Sequence, residues 1–327
     1  MIVNYLILIL TTRCDLRCAY CYNGDLSPLD MDKAMIEPAL ALAAAGTGPL
    51  RIQLTGGEPT LVPELIVAVA KAAEKLRRPY RISLQTNGLR LEADLVRDLK
   101  KYSIEIGVSL DGAPAINDAQ RGRSREVLRG LGVLERLDWP FVVTTVVTSF
   151  NGLNLYQTPL ILSQYGLARG LGLDLLIQKG RSQVPAITKD DLAKGVRRLI
   201  QTLRQINARR KNPLTLREEE FSRRHQASPM EVFCQACRQS SLAVTPLGLV
   251  YPCGQTAFDD RFKLGDVWSD QFLKSPLPEL VLKGARCQDC FLRGSCPGEC
   301  PSRLFFNQVN SPDLACVMWR VLAEEIF

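Results

Sequence analysis

The chain has 327 residues, 46% of them hydrophobic, and a net charge of +7 spread over scattered arginine clusters. That length suits one large or two ordinary globular domains, and no apolar run approaches the roughly 20 residues that a membrane helix requires. No aromatic residues interleave with the basic clusters and the N-terminal apolar run lacks the basic start of an export signal, so neither nucleic acid nor membrane is an expected partner and a cytoplasmic location is.

In chain order, residues 3–10, 51–54, 80–85, 104–109, 141–148 and 171–177 read as strands. Helical patterns over residues 31–45, 61–76, 92–100, 124–136, 155–165 and 189–208 alternate with them. Alternation of this kind predicts an α/β fold with parallel pairing and right-handed crossovers. A charged, proline-containing stretch over 211–230 reads as a linker, so the expected domains are 1–210 and 231–327. The second is cysteine-rich and closes with a helix over 313–327, announced by Ser311-Pro312.

Directly after the first strand comes TTRCDLRCAYCYNG, in which Cys14, Cys18 and Cys21 are spaced C-x3-C-x2-C. Three thiolates would leave one iron of a four-iron cubane open to a ligand, whereas four would close it. The same spacing also falls on one helix face, and free cysteine often serves as a small core residue, so packing is the competing reading. The other eight of the 11 cysteines crowd between Cys234 and Cys316. Cys234 and Cys237 form C-x2-C, Cys253 follows a hairpin-like segment, and Cys287, Cys290, Cys296 and Cys300 form C-x2-C-x5-C-x3-C ahead of Cys316. A reducing compartment disfavours disulfides and favours metal, with a pair of tetrahedral zinc sites as the alternative to iron and sulfur.

The triad, with Tyr20 just ahead of its third cysteine, resembles that of the radical S-adenosylmethionine (SAM) superfamily. Thr55-Gly56-Gly57-Glu58-Pro59 resembles that family's GGEP segment, Gln85-Thr86-Asn87-Gly88 ends the third strand, and Ser109-Leu110-Asp111-Gly112 is similar to its SLDG. The resemblance implies an incomplete (β/α)6 barrel, with Cys14, Cys18 and Cys21 holding a [4Fe–4S] cluster that chelates SAM. It implies that Gly56 and Gly57 let the backbone approach the methionine moiety and that Glu58 meets its amino group. Tyr20 would pack near the adenine, and Asn87 and Ser109 near the ribose and methionine. Arg121 would pair with the SAM carboxylate, a task suited to a planar guanidinium fork.

The later cysteines resemble the SPASM extension of that superfamily. By analogy Cys234, Cys237, Cys253 and Cys300 would hold one auxiliary [4Fe–4S] cluster and Cys287, Cys290, Cys296 and Cys316 a second, making three in all. The resemblance implies reductive cleavage of SAM to a 5′-deoxyadenosyl radical and hydrogen abstraction from a peptide or protein, giving oxidation or crosslinking. An external one-electron donor such as a flavodoxin or ferredoxin is implied, and any leader peptide would be recognised by a separate leader-binding protein, by the C-terminal region, or not at all. A sulfatase-maturase-like activity or a small-molecule cofactor-pathway enzyme remains open, as does a non-catalytic iron–sulfur carrier. The general base is not assignable, and His225, beside two arginines, reads as a solvated residue.

Overall fold

The computed structural model describes residues 2–227, 234–280, 287, 289–294, 296, 298–308 and 313–326. Strands β1 (Tyr5–Ile9), β2 (Leu50–Thr55), β3 (Tyr80–Thr86), β4 (Glu105–Ser109), β5 (Phe141–Val147) and β6 (Ala168–Leu175) pair parallel in chain order. Helices α1 (Ile36–Ala41), α2 (Pro63–Ala73), α3 (Ala93–Lys101), α4 (Pro114–Gln120), α5 (Ser124–Arg136) and α6 (Gln157–Leu162) connect them, and α7 (Lys189–Asn207) follows β6. The fold is α/β with the parallel sheet of a partial barrel.

β2 shows why the sheet forms. Leu50, Ile52 and Leu54 are buried on one face, while Arg51, Gln53 and Thr55 turn to the other, the period of two that a half-covered strand needs. α2 answers with Leu65, Ile66, Val69, Ala70 and Ala73 at helical spacing, and starts with Pro63, whose missing N–H has no helical partner to lose. Burying each such Leu or Ile contributes about 1.5–3 kcal/mol.

The sheet continues past both ends of this alternation. Within the stretch read as a linker, β7 (Thr215–Leu216) pairs with β6 and leads directly into α8 (Arg217–Ala227). The apolar spacing explains the difference, because Leu214 and Leu216 are both buried on either side of the exposed Thr215. At the other edge, β8 (Ser241–Val244) pairs parallel to β1 and continues through the antiparallel β9 (Leu249–Tyr251) and β10 (Gly265–Asp266). Among the described residues the result is one ten-stranded sheet, so the cysteine-rich C-terminal part grows from the barrel sheet itself.

Two further helices, α9 (Pro301–Phe306) and α10 (Asp313–Ile326), complete the chain. The expected closing helix is thus present, while Ser311-Pro312 lies outside the described residues. α10 lies along α7, where Lys189 meets Asp313 at 2.6 Å and Arg197 meets Glu324 at 2.7 Å. No described helix is long and apolar enough to cross a membrane.

The main core lies between the sheet and its helices. A second, on the opposite face of β1, gathers Ile7, Ile9, Ala243, Tyr251 and Phe262, and Cys234 and Cys253 pack against it. A third small cluster of Tyr20, Leu176 and Val184 packs against Cys18. Two groups of thiols therefore sit on the inner face in apolar surroundings.

At the opposite end of the strands, buried Arg78 has no carboxylate partner among the described residues. Its Nη1 donates to the carbonyls of Val3 (2.9 Å) and Ala43 (2.8 Å), Nε to that of Gly48 (2.8 Å) and Nη2 to Asn4 Oδ1 (3.0 Å). Arg78→Met strands these acceptors, and urea denaturation should show a loss of about 2–4 kcal/mol; an unmoved midpoint would contradict this role.

Candidate active site

Cys14, Cys18 and Cys21 lie on the loop that leaves the C-terminal end of β1, where parallel α/β folds collect their chemistry. This loop has almost no regular structure of its own and is held by the ends of its neighbours. The amides of Gly57 and Glu58, after β2, donate to the carbonyls of Thr11 and Arg13, both at 2.8 Å. Asn87 Nδ2, after β3, donates to Asp15 Oδ1 at 2.8 Å, and Arg90 Nε to Asp15 Oδ2 at 2.9 Å. The Ala19 amide donates to the Gln120 carbonyl at the end of α4 (2.8 Å), and the Arg181 amide, after β6, to the Cys21 carbonyl (2.9 Å).

The two glycines also lie hard against the chain's own backbone. A Cβ on Gly56 would lie 2.4 Å from the Thr11 carbonyl oxygen, and one on Gly57 only 2.3 Å from that of Arg13. What approaches these glycines is the chain's own cysteine loop. Glu58 also turns inward: Oε1 accepts from Thr60 N (3.0 Å), Thr60 Oγ1 (2.6 Å) and Thr86 Oγ1 (2.7 Å), and Oε2 from Asn87 N (2.7 Å). The carboxylate thus staples β2 to β3, and one oxygen lone pair of Oε2 remains for a further donor. Burial pushes its carboxyl up, and the donors from Thr60, Thr86 and Asn87 oppose that.

Buried Tyr20 and Asp111 and half-buried Arg121 form a chain beside Cys18. The Tyr20 hydroxyl donates to Asp111 Oδ2 and accepts from Arg121 Nη1. Asp111 is fixed in turn, Oδ1 accepting from Val146 N (2.9 Å) and its amide donating to Asn117 Oδ1 (3.1 Å). Burial pushes the Asp111 carboxyl and the Tyr20 hydroxyl up, with the Arg121 charge opposing both. Burial likewise pushes the Cys18 thiol up, and Arg121 again opposes it. Arg121 Nε is buried with no acceptor among the described residues. Ser109 Oγ accepts from Gln85 Nε2 at 3.0 Å on the inner face of β4.

The eight later thiols fall into two neighbourhoods. Cys234 Sγ lies 3.6 Å from Cys237 Sγ. Burial pushes Cys253 up to about 11, and the neighbouring Cys300 and Cys234 thiols raise it further. Burial also pushes Cys296 up to about 11, with Cys316, Cys290 and Cys287 adding to it. Cys300 Sγ lies 3.0 Å from Ser302 Oγ. Among the described residues no three His, Cys, Asp or Glu side chains converge on a position for a single metal ion.

The residues present suit iron–sulfur groups and an anionic ligand. All eleven thiols are free. Several receive donors at sulfur, as a metal-bound thiolate favours: Leu16 N to Cys14 (3.4 Å), Gly298 N to Cys296 (3.4 Å) and Arg320 Nη2 to Cys290 (3.7 Å). The orphaned N–H of Arg121 suits a carboxylate brought from outside. Asp15, Lys179 and Arg181 were not among the expected site residues. Asp15 stands inside the cysteine run itself, but its partners Asn87 and Arg90 are distant in sequence.

Residues 8–156 match the family model described as the radical SAM superfamily. An uncharacterized protein of Methanocaldococcus jannaschii is 25% identical over 299 residues, 89% of this chain and 97% of that protein. A GTP 3′,8-cyclase of Mycolicibacterium smegmatis is 35% identical over 207 residues, and this match spans 60% of the present chain and about half of the cyclase, 55%. The structure of anSMEcpe with AdoMet (SAM) and the Kp18Cys peptide bound superposes with a TM-score of 0.82 at 18% identity, covering 98% of this chain and 96% of that one.

Gly57→Ala forces its new Cβ against the Arg13 carbonyl and should loosen the cysteine loop without unfolding the sheet. Hydrogen exchange of the apoprotein should accelerate at amides 13–21 and stay unchanged in α7. Equal exchange in both proteins would show that the close approach does not hold the loop.

Proposed function

We propose that this chain, whose residues 8–156 form a radical SAM superfamily domain, is a radical SAM enzyme that oxidises or crosslinks a peptide or protein. The observation that carries the reading is the loop that presents three thiols beside a half-buried guanidinium whose buried Nε–H is unmet among the described residues. Cys14, Cys18 and Cys21 would hold one [4Fe–4S] cluster, Cys234, Cys237, Cys253 and Cys300 a second, and Cys287, Cys290, Cys296 and Cys316 a third. When bound, the first cluster and SAM supply a radical that abstracts hydrogen from carbon, and the other two supply electron-accepting capacity.

The chain's own residues then have defined tasks. Arg121 gives its free Nε–H to the SAM carboxylate, while Tyr20 and Asp111 hold the guanidinium in place. Asn87 and Ser109, at the ends of neighbouring strands, would meet the ribose and methionine. Gly56, Gly57 and Glu58 act one step back, by fixing the loop and the β2 and β3 ends. The apolar cluster of Leu176 and Val184 around Tyr20 keeps water from Cys18. We assign residues 1–210 to the catalytic barrel, 211–230 to its connection and 231–327 to a SPASM-type region, working in the cytoplasm with a flavodoxin- or ferredoxin-like electron donor.

A peptide is favoured as substrate because the anSMEcpe structure that carries one corresponds to this chain over almost its whole length. The match to a GTP 3′,8-cyclase favours a nucleotide as the second reading. Anaerobic iron reconstitution followed by assay for 5′-deoxyadenosine tests the proposal. The wild type should form it from SAM and dithionite, Cys18→Ala should not, and short peptides rather than GTP should stimulate it. Iron-replete wild type that forms none would overturn the catalytic reading. Arg121→Met should weaken SAM binding by about tenfold to a hundredfold in equilibrium dialysis, the loss of one or two charge-assisted hydrogen bonds.

A further inference from the structure

The loop after β6, Gln178-Lys179-Gly180-Arg181, touches three cysteine-bearing segments at once. Its Gln178 amide donates to Asn307 Oδ1 at 2.7 Å, just past α9, the helix that begins after Cys300. Lys179 Nζ donates to the carbonyls of Gln255 (2.8 Å) and Ala257 (2.7 Å), in the turn that carries Cys253. Gly180 has φ +63°, and a Cβ there would lie 2.5 Å from Gly24 N and 2.6 Å from the Tyr22 carbonyl oxygen. Arg181 completes the contact through its amide to Cys21, and its Nη1 donates to Asp25 at 2.9 Å.

We propose that Lys179 is a positioning residue for the Cys234, Cys237, Cys253 and Cys300 site: it fixes the Cys253 turn and holds a positive charge beside it, raising the reduction potential of the iron–sulfur group bound there. This rests on the proposed assignment of those thiols to a cluster. Two features distinguish Lys179 from an ordinary surface lysine. It is half-buried, and its partners are two carbonyls and the Phe306 ring, 4.9 Å from Nζ to the centroid, with no carboxylate within ion-pair distance among the described residues. Among the described residues nothing at contact therefore neutralises the charge. Asp259, the acidic group that acts on it from farther away, forks onto Arg261 at 2.8 and 2.6 Å. A cation in a half-buried, apolar setting stabilises added negative charge more than the same cation in water would.

The test compares iron-loaded wild type, Lys179→Arg and Lys179→Met by iron content and by redox titration followed by EPR. The signal of this site is identified as the one that Cys253→Ser removes. In Lys179→Met that signal should move to more negative potential, or its iron should be lost where Lys179→Arg keeps it, and the signal that Cys18→Ala removes should stay in place. An unmoved potential with full iron in Lys179→Met would overturn the proposal, as would equal shifts in the Arg and Met variants. Full iron in Cys253→Ser would overturn the underlying ligand assignment and not merely the tuning role.

Discussion

The backbone contact between the Gly56-Gly57-Glu58 turn and the Thr11–Arg13 segment governs the rest of the site. Three thiols intended to leave one metal position open need a loop, because a regular helix or strand would present them at fixed pitch to one surface. A loop of that kind cannot pay its own ordering entropy. Here the cost is met by polar contacts from the ends of β2, β3, α4 and β6, each spending a hydrogen-bonding group that would otherwise end its element unmet. The side chain of Glu58 adds the second tier by tying the ends of β2 and β3 to one another before either meets the loop.

The same logic extends to the C-terminal part. Because β8 adds to β1 in parallel register and β9 returns antiparallel beside β8, the Cys253 turn leaves a strand only one removed from the strand that launches the first cysteine loop. Two sulfur-rich regions far apart in sequence thus become neighbours on the inner face, and the loop after β6 closes the remaining distance. Asp174 and Arg217 add an ion pair to that inner face beside its apolar cluster, while the outer face is packed against helices.

Much of this was legible in local sequence. Strands β1 to β6 showed as apolar runs because each buries at least one full face, and the turn motifs showed because glycine and asparagine mark strand ends. Other features depend on partners distant in sequence. α4 is short and carries few apolar residues, so it gives little periodic signal. β7 and α8 sit in a charged segment whose two buried leucines are too few to announce a strand. Gly56 and Gly57 were visible as a turn, but that they face the cysteine loop follows only once β1 and β2 are known to be adjacent. Lys179 has no sequence signal at all, since its partners are main-chain carbonyls.

The open metal position on the first cysteine loop is the claim on which the functional reading stands. The most direct measurement is the EPR spectrum of the dithionite-reduced, iron-loaded protein with and without SAM. The signal that Cys18→Ala abolishes should change on adding SAM, as direct ligation requires. A signal at that site that SAM leaves unchanged would contradict an open iron on this loop.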